Sequence, residues 1–148
     1  MAALCRITED PIHPDELARA VAGPDRGALA TFAGLVRDHH GGRKVVRLEY
    51  EAYVEMAERV LLEIAEEASR RFGTPHVAIA HRVGRLAIGE TSVLIAVAAP
   101  HRREALAACA FAIDRVKERA PIWKKEFYED GAVWIEGPEI VEGRAEAP

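Results

Sequence analysis

Residues 91–128 read TSVLIAVAAPHRREALAACAFAIDRVKERAPIWKKEFY, and the changes of pattern inside this stretch decide the fold. Thr91 to Ala99 is an apolar run of strand length. From about Pro100 to Arg119 the pattern becomes helical, with Leu106, Ala110, Ile113 and Lys117 recurring along one stripe. Pro121 breaks that helix. Ile122 to Tyr128 and Ala132 to Ile135 then read as a hairpin closed across Glu129-Asp130-Gly131.

Working outward, the same alternation of elements continues toward the N-terminus. Val54 to Phe72 is a long amphipathic helix, with Met56, Val60, Ile64 and Ala68 at helical spacing and Gly73-Thr74-Pro75 ending it. A strand around His76 to Arg82 precedes Thr91 to Ala99, the two joined by a turn containing Gly84 and Gly89. Val45 to Tyr53 alternates apolar with charged residues, as a strand with one wet face does. Gly27 to Val36 reads as a buried strand, and Asp38-His39-His40-Gly41-Gly42-Arg43 as a polar loop that moves in the absence of ligand. Cys5 to Thr8 is a short strand, followed by a brief helix from Pro14 to Val21. The sum is α+β: a mixed, largely antiparallel sheet, two long helices packed on it and a C-terminal hairpin.

The 148 residues suit a single domain with its own core, and 49% hydrophobic with 30% charged residues is a globular balance. Residues 1–26 read as a variable N-terminal part and 137–148 as a flexible tail. Apolar stretches no longer than a strand leave no membrane span, and the first residues do not resemble a secretory leader. Cys5 and Cys109 stand far apart with no CxxC, which points to a reduced, cytoplasmic protein. The net charge of −4 hides segregation: basic clusters lie at Arg37 to Arg47, at His101-Arg102-Arg103 and at Arg115 to Lys125. Local cationic knots in an acidic chain suit a small anion better than a nucleic acid, which asks for a wide basic face.

Three features can carry chemistry. Cations at the first turn of the second long helix, His101-Arg102-Arg103, oppose the helix dipole unless an anion sits among them; a solvated basic turn is the equal alternative. Lys117 continues the apolar stripe of that helix. It either snorkels into water beside the helix C-terminus, which the pattern alone favours, or holds its amine in a partly dry site where desolvation and neighbouring cations lower its pKa. In the strand after Pro121, Trp123 and Lys125 share one face and Lys124 takes the other. His39 and His40 lack partners at metal-ligand spacing, so no metal is expected. His76 and His81 read as structural histidines, and Cys109 as a small core residue. No Walker loop, GxGxxG or GxSxG is present.

These segments resemble the large, catalytic subunit of molybdopterin synthase, from about Gly27 to Glu136. The resemblance rests on five motifs in order: Thr31-Phe32-Ala33-Gly34-Leu35-Val36-Arg37-Asp38-His39, Leu48-Glu49-Tyr50-Glu51-Ala52-Tyr53, His81-Arg82-Val83-Gly84, Ala99-Pro100-His101-Arg102, and residues 117–126, KERAPIWKKE. It implies an α/β hammerhead-like fold and an enzyme that converts cyclic pyranopterin monophosphate to dithiolene-bearing molybdopterin. Sulfur would arrive as a thiocarboxylate on the C-terminal Gly-Gly of a small ubiquitin-like partner, without a metal or organic cofactor. The implied assembly is a homodimer of large subunits within a heterotetramer.

The resemblance also places the family's two essential lysines on Lys117 and Lys124. Its substrate-binding residues fall on Arg37, His101 and Arg102, with His39 and Arg43 on the loop after Arg37. A cross-subunit arginine after the final Trp-x-Glu is missing: Trp134-Ile135-Glu136 runs into Gly137-Pro138, and Arg144 is a distant substitute. Two rival readings are a non-catalytic anion-binding regulatory module and a scaffold whose Arg37–Lys44 loop docks an acidic partner.

Overall fold

Two apolar strands, buried on both faces, organise the molecule, which a computed structural model describes over residues 4–135. They are β5 (His76–Arg82) and β7 (Thr91–Ala99), paired antiparallel. β1 (Leu4–Thr8) adds to β5 in parallel, and β2 (Ala28–Leu35) adds antiparallel to β7, giving the order β1-β5-β7-β2. Alternation then assigns the faces. Val77, Ile79, Ile95 and Val97 point toward α2 (Val54–Phe72) and α3 (Arg102–Arg119), while Ala78, Ala80, Leu94, Ala96 and Ala98 meet Leu17 and Val21 of α1 (Pro14–Val21). Helices on both faces explain why these strands are continuously apolar rather than alternating.

A second, antiparallel sheet is built around β4 (Arg43–Ala52). It pairs with β3 (His39–His40), β6 (Gly84–Ala87) and β8 (Ile122–Tyr128), and β8 pairs in turn with β9 (Gly131–Ile135). Val36, Val45, Leu48 and Leu86 form a small core beneath it. The α+β class, the largely antiparallel pairing, the two long helices and the C-terminal hairpin are borne out, with the strands divided between two sheets. Residues 4–26 are built into the first sheet and its α1 cover. The tail at 137–148, Pro138 and Arg144 lie outside the described residues.

Several local expectations are corrected. The turn with Gly84 and Gly89 contains β6, because burying Leu86 against Leu48 and Val45 draws the connection onto β4. The polar loop after Arg37 is a two-residue hairpin: Gly41 and Gly42, with φ of 61° and 80°, supply the turn that lets His40 pair with Arg43. β2 is an edge strand whose side chains are mostly exposed, since β7 is its partner on one side and no described strand covers the other.

On α2 the expected Ile64 and Ala68 are buried, joined by Ala57, Leu61 and Ala65, while Val60 is partly buried and Met56 is exposed. On α3 it is Ala105, Ala108, Cys109, Ala112 and Val116. Small residues win there because α3 packs against both α2 and the sheet, and alanine permits that close approach. Leu106, at 61% exposure, faces outward. Lys117 therefore stands beside the buried stripe rather than on it.

Candidate active site

The two sheets meet along a cleft, and a cavity of about 260 Å³ opens there. The first sheet contributes Phe32, Gly34 and Val93; the second contributes Tyr50, Lys124 and Glu126; α3 contributes Lys117. Each functional side chain has a local reason for its place. Lys117 lies in the last turn of α3, where a cation complements the helix C-terminus. Pro121 then forces the chain out of helix, and one residue later β8 begins, so Lys124 is returned to the cleft opposite Tyr50, its register partner on β4. Gly34 keeps β2 close to β7 at the cavity wall; a Cβ there would come within 2.7 Å of Val93 Cγ1.

Arg37 and His39 also line the cavity, Arg37 from the segment between β2 and β3 and His39 from the hairpin. His39 Nδ1 pairs with Asp38 Oδ1 at 2.8 Å, and that contact first of all holds the Asp38 carboxyl below its usual range. Arg43 is placed outside the lining, where it pairs with Asp130 at 2.7 Å and stacks on the Tyr128 ring at 3.7 Å. His101 and Arg102 are exposed at the other end of α3, roughly 22 Å of helix from Lys117. The cavity thus gathers Arg37, His39, Lys117 and Lys124 within one chain, and does not gather Arg43, His101 and Arg102. Lys125 takes the opposite face of β8 from Lys124, as alternation requires, and its Nζ lies 5.2 Å from the Phe127 ring.

Pattern reading passed over the acid of the site. Glu126 is 3% exposed, shares the Lys124 face of β8, and stands 3.7 Å from Lys124 Nζ. Burial opposes its charge, but hydrogen bonds from Tyr128 and His40 and the charge of Lys124 outweigh burial and hold its carboxyl below the ordinary range. The legible signal was an acid two residues after a lysine in a strand, hence on the same face.

His81 is structural, as its strand position suggested. Its Nδ1 donates to the Arg82 carbonyl at 2.8 Å and its ring meets Tyr50 edge-on at 5.0 Å. Burial, then the nearby Lys117 and Lys124 charges, push it down to about 4 despite the carbonyl contact, so it is neutral beneath the cavity. Cys5 and Cys109 are pushed up to about 12 and about 11 by burial, which keeps both as thiols.

Among the described residues no three His, Cys, Asp or Glu side chains cluster as metal ligands, and no helix is long and apolar enough to cross a membrane. What remains is a small cavity carrying two lysines and an arginine, with one buried carboxylate beside them. Such a site binds anions and can stabilise or protonate charge that develops on them.

Known proteins share this arrangement of elements. The chain is 45% identical over 131 residues to molybdopterin synthase catalytic subunit 1 of Mycobacterium tuberculosis, covering 88% of this chain and 89% of that one. It superposes on the crystal structure of molybdopterin synthase from Staphylococcus aureus with a TM-score of 0.86 at 41% identity, covering 90% of this chain and 97% of that one. A complex of subunits 1 and 2 of molybdopterin-converting factor from Helicobacter pylori shares the fold, with a TM-score of 0.71 at 23% identity over 87% of this chain and 88% of that one. Residues 7–119 match the MoaE protein family, and on that match and these likenesses the chain belongs to it.

Proposed function

We propose that the chain is the catalytic subunit of a molybdopterin synthase, a sulfurtransferase of molybdenum cofactor biosynthesis. In this reading the sulfur donor is the thiocarboxylated C-terminal Gly-Gly tail of a small ubiquitin-like carrier, and the acceptor is cyclic pyranopterin monophosphate. The observation that carries it is one cavity holding Lys117, Lys124 and Arg37 in a chain of the MoaE family. Both substrates are anionic, so a cationic cleft serves both.

The chemistry follows from those charges. At each of two pterin side-chain carbons, sulfur forms a bond as a C–O bond at that carbon breaks and its oxygen leaves. Water then attacks the carrier's terminal carbonyl carbon, breaking its C–S bond and leaving the carrier as a carboxylate, so two thiocarboxylates are consumed per dithiolene. Lys117 stands where an amine can meet the thiocarboxylate carbon, and Lys124 where an ammonium can donate a proton or stabilise the developing oxyanion. Arg37 holds the phosphate, with His39 beside it. The buried thiols of Cys5 and Cys109 are poor sulfur relays, in keeping with a donor that is a separate protein.

His101 and Arg102 would reach such a cavity from the second subunit of a homodimer, since their own Lys117 lies at the far end of α3. Arg43 belongs to the rim of the hairpin. The complex of subunits 1 and 2 in H. pylori supports a partner subunit for this chain, and one such carrier on each half of the homodimer would make a heterotetramer, acting in the cytoplasm.

The deciding experiment combines the purified chain with thiocarboxylated carrier and the pterin precursor and measures dithiolene product. Product at a turnover rate, lost without thiocarboxylate, is expected. Pterin binding without product would instead favour an anion-binding regulatory module.

A further inference from the structure

Glu126 is a buried carboxylate in the wall of a cavity whose other fixed charges are cationic, and its partners come from two strands. His40 Nδ1, on β3, lies 2.7 Å from Oε1 and 3.0 Å from Oε2, and against a carboxylate the ring nitrogen is the donor. The Tyr128 hydroxyl donates to Oε1. Lys124 Nζ stands 3.7 Å from Oε2. Alternation along β8 puts residues 124, 126 and 128 on one face, and the β3–β4 hairpin carries His40 across to them. Burial and the Glu126 charge push the Tyr128 hydroxyl up to about 12, so it remains a donor.

We propose that His40 and Tyr128 are positioning residues for Lys124: together they fix the Glu126 carboxylate, and that carboxylate sets where the Lys124 ammonium stands in the cavity. A lysine side chain loses rotamer entropy when it is held in one place. A carboxylate already anchored by two donors takes up part of that ordering before substrate arrives. Because both donors act through one carboxylate, their losses overlap rather than add. The proposal rests on Lys124 being a reacting group, so its consequence is on turnover more than on substrate binding.

The test uses the full-length chain with thiocarboxylated carrier and pterin precursor, and the variants His40→Ala, His40→Asn, Tyr128→Phe, the His40→Ala/Tyr128→Phe double and Glu126→Gln. Circular dichroism confirms that each is folded. His40→Ala and Tyr128→Phe should each lower kcat by about 10-fold, short of the roughly 100-fold that a displaced catalytic group can cost, with KM for the pterin within about 2-fold. The double variant should fall no further than Glu126→Gln. His40→Asn should retain most activity, because the asparagine amide nitrogen overlies Nδ1.

A second readout is independent of turnover. The Glu126 carboxyl carbon, followed by NMR, should titrate below the ordinary carboxylate range, move upward in His40→Ala and Tyr128→Phe, and the Lys124 ammonium signal should broaden in the same variants. Unchanged kcat in both single variants overturns the proposal, as does additive loss in the double. A Glu126 carboxyl that titrates in the ordinary range, or a Lys124 signal indifferent to the variants, overturns it too. Failure of the wild type to form product sinks the functional reading instead, and the NMR arm still decides whether His40 and Tyr128 hold Lys124.

Discussion

Lys117 and Lys124 reach one cavity by different routes, and their roles are separable for that reason. Lys117 comes from a helix end, Lys124 from the strand after Pro121. If both serve chemistry, Lys117→Ala and Lys124→Ala should each cut product formation at least ~100-fold, the low end for a positioned proton-transfer group. Neither side chain fills the core, so both variants should fold. Lys125→Ala is the control on the opposite face of β8 and should stay near wild-type turnover; near-normal turnover by Lys117→Ala would remove it from the mechanism. His81 yields a pH prediction. Its folded pKa of about 4 lies below its unfolded value of 6.5, so the unfolded chain binds a proton first as pH falls. Stability from this group is complete above the unfolded value and is lost between there and the folded value, by ~3 kcal/mol. Urea unfolding at pH 7 and at pH 4.5 should show a smaller difference for His81→Asn than for the wild type. An equal difference in both would mean that His81 is not held neutral.

At the scale of elements, the hairpin of residues 39–44 and the end of α2 make opposite use of glycine. Gly73 ends α2 in the left-handed region at φ 69°, with its N–H on the Ser69 carbonyl at 2.9 Å. Gly73→Ala should cost about 1 kcal/mol through backbone strain alone, read as a lower midpoint in thermal unfolding. Gly41 and Gly42 instead let a short ribbon turn over the cavity rim. Side chains tie this ribbon down: His40 to Glu126, and Arg43 to Asp130. Amide exchange should be fast at Gly41 and Gly42, at the exposed tip, and slow at Val45, whose N–H meets the Asp38 carbonyl at 2.8 Å. Protection throughout residues 38–44 would contradict the expected motion of this segment.

For the whole molecule, apolar surface left on the isolated chain bears on assembly. Leu29, Leu35 and Leu106 are 49%, 56% and 61% exposed, on the edge strand β2 and on α3. A homodimer is the expected state in solution, and sedimentation equilibrium at micromolar concentration should return twice the chain mass; a stable monomer would count against the trans placement of His101 and Arg102. Local rules sufficed for what is local. Strand-length apolar runs, Pro121 and the glycine at the end of α2 mark the elements, and alternation alone separates Lys124 from Lys125. Five short motifs in order were enough to point to the MoaE family, which residues 7–119 match. Which residues of α2 and α3 are buried could not be read the same way: the sheet and the facing helix select alanines over Leu106 and Met56, and that choice depends on how closely three surfaces approach. The carboxylate of Glu126 had no long-range signature either. Its partner His40 is 86 residues away, and only the pairing of β4 with β3 on one side and β8 on the other brings a hairpin imidazole against a strand carboxylate beside Lys124.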